Sequence, residues 1–476
     1  MIDENKLHLL IEKTKNRSTS DLEIEEILNK AKRSALKPSS EFTQTITLED
    51  VATLLNVDSK NEKLMQKIFS TALDIKRMIY GNRIVLFAPL YVSNYCINSC
   101  LYCSFRAENT KIERKSLSDD EIVEEVKALQ RQGHKRLVML MGEHPKYSLD
   151  DFIRHIHLVA NVKSKPFGSI RRVNIEIPAL NIDEFKKLKA TNEIGTYILF
   201  QETYHRKTFE KMHTYGPKSD YDWRLDTMSR ALQAGVDDVG IGALFGLYDY
   251  RFEVLALLEH ARFLDETFSI GPHTISVPRI KKAENAPCST NVPYPVNDLD
   301  FKKLVAIIRI VVPYTGIILS TRESPEIRKE IYKMGVSQIS AGSKTDIGGY
   351  KNKTKDVNEK SSSQFSLADE RPTSEVIHEL IELGFIPSWC TACYRSNRTG
   401  KNFMDIAKKG EIQNLCHPNA LITFAEYLLD YADEKTKKIG WNLIEEEKSS
   451  ITNESKKNFL EKALEKTKND TRDLYI

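Results

Sequence analysis

Two groups of three cysteines carry most of the chemistry this sequence could perform. Cys96, Cys100 and Cys103 stand at a C-x3-C-x2-C spacing, and Cys390, Cys393 and Cys416 form C-x2-C-x22-C. Three nearby sulfurs can hold three irons of a 4Fe-4S cluster and leave the fourth iron without a protein ligand, whereas a structural zinc site normally closes with four ligands. An iron left open is a place where a small chelating molecule can bind. His417 could complete a zinc site with the C-terminal group, but neighbours in sequence do not easily turn both side chains onto one metal. The seventh cysteine, Cys288, stands alone in a Pro-rich stretch and has no evident ligand role. An odd count divided into two tight groups argues for metal ligation in a reducing compartment rather than for a disulfide framework.

Tyr102 precedes the third cysteine, and the segment Cys96-Ile97-Asn98-Ser99-Cys100-Leu101-Tyr102-Cys103 resembles the signature of the radical S-adenosylmethionine (SAM) family. The resemblance implies that the open iron chelates the amino and carboxylate groups of SAM. It further implies that an electron from the cluster splits SAM homolytically and that the 5′-deoxyadenosyl radical abstracts hydrogen from a substrate. It also gives roles to residues further along. Gly142-Glu143 matches a segment whose backbone meets the SAM amino group, and Glu176, Gln201 and Glu202 stand where relatives contact the cofactor, the latter two at its ribose. Arg224 resembles the arginine that pairs with the SAM carboxylate in the biotin-synthase branch, a fit for a rigid bidentate donor. Gly240-Ile241-Gly242 would let adenine pack on backbone and on Ile241.

Ser320 and Arg322, in Leu319-Ser-Thr-Arg-Glu323, offer a hydroxyl and a guanidinium suited to a carboxylate, the handle of an amino-acid substrate. Together with Phe200-Gln-Glu-Thr-Tyr204 and Gly271-Pro-His-Thr-Ile-Ser276, this stretch resembles the tyrosine-cleaving radical enzymes. That group includes the 2-iminoacetate synthase of thiamine biosynthesis and an FeFe-hydrogenase maturase; the second cysteine group is a feature of the maturase that the thiamine enzyme lacks. The resemblance implies two 4Fe-4S clusters, SAM, and cleavage of L-tyrosine to p-cresol and dehydroglycine. In the maturase the small fragment becomes carbon monoxide and cyanide, collected on an additional iron that the auxiliary cluster carries with a cysteine-type ligand. A histidine helps to hold that iron, at the end of the barrel far from SAM and joined to it by an internal channel. His273 has the matching context and His260 is the reserve. A low-potential electron donor and other hydrogenase maturases are the implied partners. A non-catalytic cluster scaffold, the remaining alternative, would have no use for Arg224, Ser320 or Arg322.

These groups need a scaffold, and the count of elements predicts one. Apolar runs at 84–92, 136–141, 173–177, 196–200, 238–241, 273–277, 317–320 and 336–340 read as strands separated by helices. Ser118-x-x-Glu121 caps the first of those helices, and Gly133 ends it. Eight β-α units in one unbroken run predict an α/β fold, a (β/α)8 TIM-type barrel, whose chemistry belongs on the loops after the strands. His273 then opens the sixth strand, at the opposite end from the first cysteines. The expected organisation is an N-terminal helical cap over 1–80, the barrel over 81–343, and a mostly helical domain over 344–476 carrying the second iron-sulfur site. Residues 345–366, rich in Lys, Ser, Gly and Asn, read as a mobile linker or lid.

Composition limits the alternatives. The chain has 476 residues, 41% of them hydrophobic, and a formal net charge of +3, which gives no reason to invoke nucleic acid. No apolar run reaches the ~20 residues a membrane span needs. Met1-Ile2-Asp3-Glu4 shows no signal-peptide pattern, so a cytoplasmic protein is expected.

Overall fold

The computed structural model describes residues 2–37, 45–351, 360–451 and 453–476. The barrel strands, labelled here in chain order, are β1 (Arg83–Ser93), β2 (Arg136–Met141), β3 (Arg172–Glu176), β4 (Ile194–Ile198), β5 (Val239–Gly242), β6 (Thr274–Ser276), β7 (Gly316–Leu319) and β8 (Gln338–Ser340). Each pairs in parallel with the next, and β8 pairs with β1, so the eight strands close. Ile84-Val-Leu-Phe-Ala88 in β1 is buried throughout, as a parallel strand covered on both faces must be. His273 lies just before β6, its backbone N–H donating to the Val239 carbonyl, rather than opening the strand.

Local signals set the helices that cover the barrel. Ser118 with Glu121 and Ser148 with Asp151 form reciprocal capping boxes, each satisfying two backbone donors that the first turn leaves free. Thr47 with Asp50 does the same in the N-terminal region. There the helix Glu62–Tyr80 buries Leu64, Ile68, Ala72, Ile75 and Ile79 on one face. Gly81 ends it with φ of +62°, a conformation that costs a side chain and suits glycine.

Two features add to the expected plan. The C-terminal region is not helical alone: a ninth strand, β9 (Ile386–Ser388), pairs in parallel with the start of β1, Arg83 opposite Ile386 and Val85 opposite Ser388. This strand carries Cys390 directly to the N-terminal end of the barrel. The described parts of 345–366, expected as a mobile linker or lid, lie over the barrel. Tyr350 is buried with its hydroxyl donating to the Pro89 carbonyl at 2.7 Å, and residues 361–366 run across the barrel mouth. The eight residues between, 352–359, lie outside the described part of the chain.

Candidate active site and second cysteine centre

β1 runs straight into the first cysteine loop, at the C-terminal end of the barrel. The loop leans on the segment after β2: the Ile97 N–H donates to the Glu143 carbonyl at 2.9 Å, and the Asn98 amide donates to the Glu143 carboxylate at 2.6 Å. A Cβ at Gly142 would lie 2.3 Å from the Tyr95 carbonyl oxygen, so only glycine allows this approach. The Tyr102 hydroxyl meets His213 Nε2 at 2.7 Å. Two sulfurs receive amide hydrogens: Cys96 from Asn98 Nδ2 at 3.7 Å and Cys103 from Gln364 Nε2 at 3.8 Å. Burial pushes the Cys100 thiol up to about 12 and the Cys103 thiol up to about 11. A bound iron reverses that preference, because coordination deprotonates a thiol outright.

Charged groups stand beside this loop. Glu202, on a left-handed backbone with φ of +71°, takes a 2.7 Å ion pair from Lys218 and a 3.5 Å contact from Arg224. Burial opposes its ionisation, but Lys218 and Arg224 outweigh burial and hold its carboxyl below the usual range. Arg224 also donates through Nε to the Phe200 carbonyl at 2.8 Å. Gln201 is buried, with its amide 3.5 Å from the Tyr221 carbonyl.

Next to these groups the barrel mouth opens into a cavity lined by Tyr91, Glu176, Phe200, Ser320, Arg322 and Phe365, with Phe87, Val138, Leu140 and Ile318 deeper in. The Arg322 guanidinium carbon lies 3.4 Å from the centre of the Phe365 ring. Ser320 Oγ accepts the Arg322 backbone N–H at 3.3 Å. Burial first, and the Glu202 charge second, raise the Glu176 carboxyl to about 7. Glu176 and Arg322 thus place an acid that titrates near neutrality and a fixed cation in one water-poor space. Ile241 is a correction. Ile198, which lines the cavity, is paired with Gly240, so alternation along β5 turns Ile241 to the other face, where it is buried in the core. Gly240 and Gly242, not Ile241, leave room inside the barrel.

The opposite end of the barrel holds the second cysteines. Cys390, Cys393 and Cys416 line one cavity with Arg83, Arg136, Tyr394 and His273. A hydrogen bond from Cys393, aided by Arg83 and Arg398, holds the Cys416 thiol below its usual range against the effect of burial. His273 Nε2 meets the Tyr394 hydroxyl at 3.3 Å and Nδ1 lies 3.6 Å from Asp238. Burial, reinforced by Arg136, Arg172 and Arg83, holds the His273 imidazole below its usual range despite Asp238, so the ring is neutral and free to ligate. His260 does not share this cavity; it is buried against the Tyr204 hydroxyl at 2.8 Å. His417 faces Glu447 at 3.4 Å and does not line the cavity, so it is not the residue that would complete a zinc site there.

Sequence reasoning missed the arginines here. Arg83, Arg136 and Arg172 each begin a strand, and each has an unpartnered buried Nε. Gly195 makes room for one of them, since a Cβ there would meet Arg172 Nε at 2.1 Å. The N-terminal end of such a barrel ordinarily serves stability. Here it is a cationic pocket lined by thiols.

No group of three or more His, Cys, Asp or Glu side chains among the described residues closes around a single metal ion. Each site supplies three thiols.

Comparison with known proteins decides the family. The Radical SAM superfamily pattern matches residues 90–261, and the Biotin and Thiamin Synthesis associated domain matches 276–386. The 2-iminoacetate synthase of Escherichia coli is 32% identical over 349 residues, 72% of this chain and 87% of that protein. The crystal structure of HydG, a maturase of the FeFe-hydrogenase, superposes with a TM-score of 0.92 at 48% identity, covering 100% of this chain and 99% of that one. HydG from Carboxydothermus hydrogenoformans gives 0.77 at 39% identity, over 98% and 100%. The chain belongs to the HydG-like radical SAM enzymes. Membership implies a 4Fe-4S cluster and SAM, and it makes the chain an enzyme of the HydG and 2-iminoacetate synthase kind. In this HydG-like chain the C-terminal cysteines all lie beyond the region shared with the biotin and thiamin domain. Among the described residues, no helix is long and apolar enough to cross a membrane.

Proposed function

We propose that this chain matures an FeFe-hydrogenase: it cleaves L-tyrosine to p-cresol and dehydroglycine at the barrel mouth and converts the small fragment to carbon monoxide and cyanide at the second cysteine centre. The observation that carries the reading is the cavity shared by Cys390, Cys393, Cys416 and His273 at the end of the barrel opposite the first cysteines. An enzyme that only released dehydroglycine would not need it.

Cys96, Cys100 and Cys103 would hold the first cluster, with Gly142, Glu143, Gln201, Glu202 and Arg224 around SAM. When bound, the cluster and SAM supply hydrogen abstraction by a carbon radical. Ser320 and Arg322 hold the tyrosine carboxylate, and the apolar wall below Tyr91 keeps water from the reacting carbons. At the far end Cys390, Cys393 and Cys416 would hold an auxiliary cluster, and His273 an additional iron with its cysteine-type ligand. Arg83, Arg136 and Arg172 give that end a positive field, which favours an anion such as cyanide. A low-potential electron donor and other hydrogenase maturases are the partners this reading requires.

Arg322→Lys tests the substrate anchor. Lysine keeps the charge but loses the planar fork, so tyrosine binding should weaken by about 1.5–3 kcal/mol, roughly 10-fold or more. Calorimetric titration with tyrosine measures it, and an unchanged affinity would place the carboxylate elsewhere. His273→Ala tests the iron. It should keep p-cresol formation, lose about one iron and fail to build an iron-carbonyl product, since imidazole is a suitable ligand for iron. Retention of that iron in His273→Ala, or its loss in His260→Ala, would overturn the assignment.

A further inference from the structure

Residues 361–366 form a strap across the barrel mouth, held through the strap's own backbone groups. Ser104 donates through N and Oγ to the Gln364 carbonyl at 3.3 and 2.8 Å, the Glu113 N–H donates to the Ser361 carbonyl at 3.0 Å, and the Gln364 N–H donates to the Thr345 carbonyl at 3.2 Å. The Gln364 side chain is therefore free for other work. Its Oε1 accepts the Tyr91 hydroxyl at 2.8 Å, and its Nε2 donates toward Cys103 Sγ at 3.8 Å. Tyr91 lines the cavity wall, as do Gln364 and its neighbour Phe365, which lies against Arg322. One amide thus bridges the substrate cavity and a sulfur of the first cysteine group.

We propose that Gln364 is a positioning residue for the first cluster: Tyr91 fixes its amide so that the N–H points at the Cys103 sulfur and stabilises the reduced cluster. The inference rests on Cys96, Cys100 and Cys103 being the ligands of that cluster. The physical basis is general. Reduction adds negative charge to the cluster, a donor aimed at a ligand sulfur stabilises that charge, and the potential rises accordingly. A glutamine achieves this without bringing a charge of its own. The orientation matters, because an amide turned over presents its oxygen to the sulfur; an iron-bound thiolate has no hydrogen to give that oxygen, so the N–H faces the sulfur and Tyr91, donating to Oε1, holds the amide there.

The test is an EPR-monitored redox titration of the full-length chain, reconstituted anaerobically, in a Cys390→Ala, Cys393→Ala background so that the first cluster alone gives the signal. Gln364→Met preserves length and volume but removes the donor; its midpoint should lie below that of the parent, with iron content unchanged and altered g values. Tyr91→Phe leaves the amide in place but frees it to turn, and should shift the midpoint in the same direction by less. Equal midpoints and equal g values for Gln364→Met and the parent at equal iron content would overturn the proposal. If Gln364→Met loads less iron, Tyr91→Phe decides: a lowered midpoint supports the role and an unchanged one overturns it. A parent without any cluster signal would instead refute the ligand assignment, and this inference with it.

Discussion

SAM cleavage should vanish when Cys96, Cys100 and Cys103 are replaced together by alanine. The three sulfurs sit on one loop, braced through Gly142 and Glu143, and no other cysteine group lies at this end of the barrel. Cys288, whose sulfur packs against Met212 at 3.5 Å, is a single thiol and could not replace three ligands. The loss should be complete rather than partial, since without the cluster there is no electron to deliver and SAM has no iron to chelate. The fold should survive, because the loop caps the barrel and contributes few of its buried apolar residues. Formation of 5′-deoxyadenosine measures the first effect, and iron analysis should find the second cluster retained. Persistent cleavage in the triple variant would refute the radical SAM reading of this loop.

The second large effect separates cleavage from conversion. Replacing Cys390 and Cys393 with alanine should leave p-cresol formation from tyrosine in place, since Glu176, Ser320 and Arg322 line a different cavity from either cysteine. The iron-carbonyl product should disappear, because Cys416 alone cannot hold a cluster. Infrared detection of bound carbon monoxide, run beside chromatography of p-cresol, reports both in one preparation. Normal iron-carbonyl formation by this variant would return the C-terminal cysteines to a structural role.

Much of this arrangement was legible because it is written locally. The barrel strands follow capped helices and read as apolar runs, and cysteine spacing is a property of a few adjacent residues. The ninth strand was not legible, for a physical reason: Ile386-Pro-Ser388 is too short to show a period, and proline ordinarily argues against a strand. It is tolerated because β9 is an edge that pairs only with β1. The arginines at the starts of β1, β2 and β3 look like ordinary surface charges until the barrel closes and turns them inward. Residues 361–366 read as part of a mobile linker or lid; composition could not show where they settle, with their carbonyls accepting hydrogen bonds from Asn94, Ser104 and Glu113.

β1 has 11 residues and serves three neighbours in turn, β9 at its start, β8 in its middle and β2 toward its end. Its inward side chains alternate without a break: Val85 lines the far cavity, and Phe87, Pro89 and Tyr91 line the near one. The strand is therefore a ruler. From Val85 to Tyr91 it measures roughly 20 Å at the rise of a parallel strand, with no hinge between the marks. One residue inserted between them would turn outward the inward groups on one side of it and put the two ends out of step. Division of labour between the two ends thus hangs on the register of a single stretch of backbone.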